Sequence, residues 1–332
     1  MPANLPPQYH AAYQKYREAK TLEEKISALK EMYAVMPKHK GTDKLQADIK
    51  RKVAQLKEEQ QVQKQRRKGG GFILPRKEGA GQVALLGPPN CGKSSLLKVL
   101  TNAQPEIADY PFTTTQLNIG MMPYEDIQIQ IIDLPPFTGE EVPWWQREVV
   151  RMSDLVIFMV DLSRDNFWEE FENIRSYLRK KNIYLSDEDA HTDREEELEG
   201  PVVKKIIVVG NKVDSPNAEE RFEVLEDKLP SGWKKISISV DKNINLEGLK
   251  TLIFEGLSII RVYTKQPGEP ADLKDPLILP EGATVVEAGQ KLHKDFVHKL
   301  KYARIWGSAK FDGQRVPRDY VLQDRDIIEF HI

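Results

Sequence analysis

The run Gly87-Pro-Pro-Asn-Cys-Gly-Lys-Ser94 has the spacing G-x-x-x-x-G-K-[ST], and its residue types suit the binding of phosphate groups. Glycines let backbone N–H groups point inward around phosphates. A helix opening at the end of the run adds partial positive charge. In this pattern Lys93 reaches the outer phosphates and Ser94 offers its hydroxyl to Mg²⁺. Gly87, Gly92 and Ser95 complete the expected contact set. Asn90 has two uses: its amide oxygen can face a monovalent cation beside the phosphates, or make a local turn contact. Cys91 lies near a helix N-terminus, where thiols can acidify, or is simply a small residue at a tolerant position.

About 120 residues further on stands Asn211-Lys-Val-Asp214, an N-K-x-D element after an apolar strand. Its chemistry selects guanine. The Asp214 carboxylate accepts from the ring N1–H and the 2-amino group, whereas adenine offers neither donor there. Sites built on such hydrogen bonds discriminate by roughly 10⁴-fold or more. The Lys212 stem can pack along the base plane and Asn211 can brace the loop. Ser239-Val240 ends the next strand, where a backbone N–H can meet the guanine oxygen. Asp133 ends another apolar strand, where a carboxylate can hold a water of the Mg²⁺ shell. Between these elements lies Pro111-Phe-Thr-Thr-Thr115. A threonine there can reach Mg²⁺ directly, or the stretch is an ordinary β-prone linker.

These groups need a frame. From Gln82 short apolar strands alternate with amphipathic helices. The strands are expected at Val83–Leu86, Ile127–Ile132, Leu155–Val160, Lys205–Val209 and Ile236–Ser239. The helices are expected at Ser94–Thr101, Trp144–Met152, Trp168–Lys180, Glu219–Leu229 and Leu246–Leu257. Such alternation predicts an α/β domain with a mostly parallel sheet and helices on both faces. Upstream, Leu22, Ile26, Leu29, Tyr33 and Met36 form one helical stripe, and Leu45, Ile49, Val53 and Leu56 a second. An αα-hairpin over residues 8–68 follows, with Thr42 as an N-cap and Gly69-Gly-Gly71 as a boundary. Downstream, strands at Ser258–Tyr263, Tyr302–Trp306 and Ile327–Ile332 and a helix at Val285–Leu300 read as a small α+β module. The expected division is 1–70, 71–257 and 258–332. Ser186–Gly200, rich in acids, reads as a solvated loop, because no turn glycine sits at a calcium-loop spacing.

Bulk composition narrows the field. The net charge of −2 over 332 residues argues for no global attraction to nucleic acid or membrane. A single cysteine leaves no intramolecular disulfide and no Cys-built zinc site. No apolar run approaches the roughly 18 residues of a membrane span, and no leader pattern opens the chain. The expectation is a cytoplasmic protein with no membrane partner. Locally, residues 38–68 carry 11 Lys/Arg against four acids. That face is either a solvated helix surface or a surface for RNA phosphates.

Taken together, these motifs resemble the Obg branch of P-loop GTPases, closest to the developmentally regulated GTP-binding protein family. Ile107-Ala-Asp-Tyr-Pro-Phe-Thr-Thr114 is similar to that branch's first switch. By that pattern Thr114 is the Mg²⁺ ligand and belongs with Lys93 to the catalytic set. Lys38–Gln55 resembles the family's N-terminal helical region. Arg261–Gly268, Ala283-Thr-Val285, His293-Lys-Asp295 and Tyr302–Gly307 resemble its C-terminal TGS module, a β-grasp fold. The resemblance implies binding of GTP and GDP, slow Mg²⁺-dependent hydrolysis and association with ribosomes or structured RNA. It also favours Asn90 as a potassium ligand, and the TGS-like module is as well suited to a protein partner as to RNA.

Three departures stand out. The expected D-x-x-G reads Asp133-Leu-Pro-Pro136, and proline has no N–H to give the γ-phosphate. Phe137 stands where many GTPases carry a water-orienting Gln, which the Obg branch generally lacks. The Gly-rich second switch is replaced by Phe137–Trp145, where Glu140 and Glu141 are candidates to orient water. Trp144 and Trp145 suit either core packing or a partner site. Only 50 residues separate Asp161 from Asn211, too few for the family's inserted domain. These departures raise an adaptor that binds GTP but scarcely hydrolyses it as the alternative.

Overall fold

A computed structural model describes residues 6–19, 22–37, 42–66, 74–101, 106–108, 117–137, 142–185, 202–292 and 300–331. Three helices come first: α1 (Pro7–Glu18), α2 (Leu22–Val35) and α3 (Asp43–Arg66). The pair read from the sequence is α2–α3, and α1 is an addition to it. Tyr9, Ala12 and Tyr16 of α1 are buried with Ile26, Leu29 and Met32 of α2 and with Leu45, Ile49 and Leu56 of α3. The stripes therefore rest on one another. Gln46 donates its backbone N–H to the Thr42 carbonyl at 2.9 Å, starting α3. The Thr42 hydroxyl donates to Pro37 O at 2.6 Å, which ties the end of α2 to that start.

The central domain comprises β1 (Gln82–Leu86), α4 (Lys93–Thr101), β2 (Glu106–Ala108), β3 (Leu117–Tyr124), β4 (Ile127–Asp133), α5 (Trp144–Met152), β5 (Leu155–Asp161), α6 (Phe167–Arg179), β6 (Ile183–Tyr184), β7 (Val202–Val203), β8 (Lys205–Asn211), α7 (Ala218–Lys228), β9 (Lys234–Ser237) and α8 (Leu246–Leu257). Seven strands form one sheet in the order β2-β3-β4-β1-β5-β8-β9. The pairings β4–β1, β1–β5, β5–β8 and β8–β9 are parallel, whereas β2–β3 and β3–β4 are antiparallel. Successive residues of the central strands enter opposite cores, as the two-residue period requires. Ala84, Val156 and Phe158 pack with α5, α6 and α7. Val83, Leu155 and Ile157 pack with α4 and α8. Strands buried on both faces need near-continuous apolar runs, and β5, Leu-Val-Ile-Phe-Met-Val-Asp, is buried throughout.

The C-terminal module has β10 (Ile259–Lys265), β11 (Leu277–Pro280), α9 (Val285–Leu292), β12 (Tyr302–Trp306), β13 (Gln314–Val316) and β14 (Asp326–His331). Its five strands run β11-β10-β14-β12-β13 around their own core. Residues 293–299 of the helix expected to Leu300, with the His293-Lys-Asp295 element, lie outside the described residues, and Leu300 itself is not helical.

This module is clamped to the turn between β3 and β4. The buried Arg261 guanidinium meets Asp324 through Nε at 3.1 Å and Nη2 at 2.7 Å. Its Nη1 donates to Asp126 at 2.8 Å and also to Glu125. Tyr263 donates to Asp126 at 2.5 Å, and Arg325 to Glu125 at 2.6 Å. The Phe254 ring of α8 lies 4.8 Å below the Arg261 guanidinium. Hydrogen bonds from Arg261 and Arg325 hold the Glu125 carboxyl below its usual range. Burial pushes the Tyr263 phenol up to about 12, assisted by Asp126.

Candidate functional site

The loop from Gly87 to Gly92 joins the end of β1 to the start of α4, so backbone N–H groups and a helix N-terminus meet at the carboxyl edge of the sheet. Asn90 has φ +61°, in the left-handed region that Asn tolerates, and its side chain is exposed. Lys93 is buried, and its ammonium donates to Gly87 O at 3.2 Å and Pro88 O at 3.0 Å. The ammonium is thereby held over the loop. Cys91 is fully buried. Burial pushes its thiol up, against the acidifying pull of Lys93. The acidic-thiol reading of Cys91 is therefore set aside in favour of a small packing residue. Ser95 follows on α4 and is exposed.

The Ser94 hydroxyl donates to Asp133 Oδ2 at 2.5 Å, and the Asn118 amide reaches the same oxygen at 3.3 Å. The other oxygen, Asp133 Oδ1, is buried without a hydrogen-bond partner. Leaving a buried carboxylate oxygen unpaired is costly, so this atom points to a missing donor or ion. A hydroxyl and a carboxylate are hard oxygen donors of the kind Mg²⁺ takes, and Mg²⁺ keeps several waters that an unpaired carboxylate oxygen can receive. The residues present fit the ion. Asn118, on β3, had no place in the sequence reading. Its only signal is register, since it is the Cα partner of Asp133. Thr114, the third expected Mg²⁺ residue, lies outside the described residues, as do Glu140 and Glu141.

The N-K-x-D loop follows β8 at the same edge. Asn211 Nδ2 donates to Cys91 O at 2.9 Å, and Asn211 Oδ1 accepts the Val240 N–H at 3.2 Å. One buried side chain thus ties the phosphate loop to the loop after β9. Gly92 has φ +99°, and a Cβ there would come within 2.3 Å of the Asn211 amide nitrogen. Glycine is required at that position on both counts. Lys212 has φ +66°, and its ammonium meets Asp161 Oδ2 at 2.6 Å. Asp214 is exposed, and a hydrogen bond with Ser239 holds its carboxyl below the usual range. Ser239 donates its N–H to Ile244 O at 3.3 Å. The two N–H groups expected to meet a guanine oxygen are therefore both engaged within the protein, and Val240 would have to share its hydrogen with Asn211.

The segment after β4 departs as its sequence suggests. Pro136 is exposed, and the Phe137 N–H donates to Gly87 O at 3.2 Å. Phe137 is buried in the core with Leu134, Val142 and Trp145, and its ring meets Tyr177 edge-on at 6.4 Å. It plays no part in orienting water. Trp145 is buried and Trp144 packs against the same core, so the tryptophans serve packing.

A phosphate loop and an N-K-x-D loop on one edge of a mostly parallel sheet define a P-loop GTPase domain. Residues 82–188 match the 50S ribosome-binding GTPase family, and residues 260–332 match the TGS domain family. An uncharacterised GTP-binding protein of Halobacterium salinarum is 31% identical over 369 residues, covering 92% of this chain and 98% of the relative. Developmentally regulated GTP-binding protein 2 of Homo sapiens is 28% identical over 357 residues, with the same coverages of 92% and 98%. The chain belongs to this family of GTP-binding proteins, which includes the developmentally regulated members. Both alignments run longer than the 332 residues of this chain, so the relatives carry residues that it lacks. Among solved structures, the YchF GTPase of Schizosaccharomyces pombe shares the fold, with a TM-score of 0.51 at 14% identity over 78% of this chain and 100% of that one.

Proposed function

We propose that this protein is a slow, Mg²⁺-dependent GTPase whose GTP-bound form engages the ribosome or another structured RNA. The reading is carried by one observation: the buried Asp133 Oδ1 has no partner, beside the Ser94 hydroxyl and at the mouth of the phosphate loop. In this reading Ser94 and Thr114 would hold Mg²⁺ directly, and Asp133 would hold a water of its shell. Lys93 leaves the carbonyls of Gly87 and Pro88 for the β- and γ-phosphates, and the Asn90 amide faces potassium. Gly87, Cys91, Gly92 and Ser95 line the phosphates, while Asn211, Lys212, Asp214, Ser239 and Val240 surround guanine. Mg²⁺ supplies charge neutralisation at the β–γ bridge when bound. The chain is read as helical region 1–70, GTP-binding domain 71–257 and TGS domain 258–332. Its place of action in this reading is the cytoplasm.

The RNA-facing surface is assigned to the basic helix α3 together with the TGS domain. Lys50, Arg51 and Lys57 are exposed on that helix. Lys50 also lies 5.3 Å from the Tyr33 ring, and Arg51 pairs with Asp48 at 2.9 Å.

A second reading is an adaptor that binds GTP and scarcely hydrolyses it. Pro136 favours it, because the N–H that would sense the γ-phosphate is absent and the next one, of Phe137, is already bonded to Gly87. A single-turnover assay with γ-labelled GTP and ATP, in potassium and in sodium, separates the two. Slow release of phosphate from GTP alone is expected. Tight binding without turnover in either salt would establish the adaptor.

A further inference from the structure

Asp161 ends β5 and is the Cα partner of Asn211, the first residue of the N-K-x-D element. It has no solvent exposure. Its Oδ1 accepts the Ser163 N–H at 3.0 Å and the Ser163 hydroxyl at 2.6 Å. Its Oδ2 accepts the Lys212 ammonium at 2.6 Å and lies 3.2 Å from Arg164 Nε. Every partner is a donor, and two carry positive charge. Burial alone would raise this carboxyl, yet the hydrogen bonds from Lys212 and Ser163 outweigh it and hold it below the usual range.

Lys212 needs such an anchor. Its backbone sits in the left-handed region at φ +66°, where a lysine stays only when its surroundings hold it. Its side chain is one-third exposed, so water competes for the ammonium. A lysine stem has four rotatable carbons and points anywhere unless its head is fixed. With the head held at the buried end of β5, the stem runs in a fixed direction from the base loop.

We propose that Asp161 is a positioning residue for guanine recognition, holding Lys212 by its ammonium so that the aliphatic stem forms a fixed wall for the base. Asp161 itself touches no nucleotide. The proposal rests on the reading of Asn211–Asp214 as the base loop. Charge and geometry both matter here. An amide at 161 has one oxygen and one NH₂, and since all partners are donors, either orientation sets the NH₂ against one of them.

The bland reading is that Asp161 merely closes the turn through Ser163, using Oδ1. The two roles part in what they do to ligands with and without a base. The protein is titrated with GDP and with inorganic tripolyphosphate, for wild type, D161N, K212M and the double variant. D161N and K212M are each expected to weaken GDP roughly tenfold, the scale of one charge-assisted interaction. The double variant should be no weaker than K212M alone, because both changes remove one interaction. Tripolyphosphate affinity should not change. Additive losses in the double variant, or an equal loss for tripolyphosphate, overturn the role of Asp161. Wild-type GDP affinity in K212M would overturn the proposal, because an unanchored stem would then serve the base equally well; a wild type that binds GDP no more tightly than tripolyphosphate would instead refute the base-loop reading of Asn211–Asp214. Should D161N fail to fold, D161E keeps the charge and moves it by one methylene. The same selective loss of GDP is then expected, and unchanged GDP affinity overturns the proposal.

Discussion

Asn211 and Cys91 lie 120 residues apart in the chain, and the Asn211 amide donates to the Cys91 carbonyl at 2.9 Å inside the protein. Phosphate loop and base loop are therefore one mechanical unit, closed on its far side by the bond from Val240. Asn211→Ala removes a buried donor and a buried acceptor together and leaves their partners unsatisfied. It is expected to lower stability by about 2 kcal/mol and to weaken GDP by a comparable energy, roughly 30-fold. Urea unfolding and calorimetric titration check the two effects separately.

Arg261 carries the junction with the TGS domain. Arg261→Met leaves Glu125, Asp126 and Asp324 facing one another. Breaking a fully buried pair costs about 3–5 kcal/mol. Here about 2 kcal/mol is expected, because the Glu125 side chain is 43% exposed and can turn to water. The pH dependence has a definite sign. All three carboxyls are held below their ordinary values. Their contribution is fully present above about pH 4–5 and is lost as pH falls through the lowered values. Thermal unfolding from pH 7 downward should show the variant approaching wild type in acid. A constant gap at all pH values would exclude Arg261 as their partner.

Much of this site was readable because the chemistry sits where strands end. The runs Ile-Gln-Ile-Gln-Ile-Ile-Asp133 and Leu-Val-Ile-Phe-Met-Val-Asp161 each close a buried strand with a carboxylate. Only the first has a role legible in the sequence, since Lys212, the partner that ties Asp161 to the base loop, lies 51 residues away and leaves no local trace. Strand β3 went unseen because Leu117–Tyr124 contains Gly120 and Pro123, both breakers by local rules. Gly120 is there because α4 presses on it: a Cβ would meet Thr101 Cγ2 at 2.4 Å. Helix α1 was hidden by its composition. It buries Tyr9, Ala12 and Tyr16 amid polar neighbours, so no strong apolar stripe marks it. Strands β11 and β13, of four and three residues, are too short to show a period.

Asn90 projects from the phosphate loop into solvent at φ +61°. With its amide oxygen available to a cation, hydrolysis should run faster in potassium than in sodium at equal ionic strength. Asn90→Ala should erase that difference while changing GDP affinity by less than about 1 kcal/mol. A potassium response that survives the substitution would remove Asn90 from cation binding.

The basic face of α3 is tested by reversing Lys50, Arg51 and Lys57 to Glu. Phosphate binding releases counterions, so affinity should fall steeply with salt and more steeply for wild type than for the variant. Ribosome co-sedimentation at low salt is expected to be lost in the triple variant, with GTP affinity unchanged because the helix lies outside the nucleotide site. Undiminished co-sedimentation would place the ribosome-facing surface on the TGS domain or the switch segments.

Guanine recognition by Asp214 decides between a GTP-binding site and any other use of the phosphate loop. Its carboxylate is exposed, and a hydrogen bond with Ser239 holds it below the usual range; it can accept from the guanine N1–H and 2-amino group. Xanthine carries a carbonyl where guanine has its amino group, and an amide at 214 can donate to it. The most direct measurement is a titration of wild type and Asp214→Asn with labelled GDP and XDP. Wild type is expected to prefer GDP by at least roughly a hundredfold and the variant to prefer XDP. An unchanged preference for GDP in the variant would contradict base selection by Asp214.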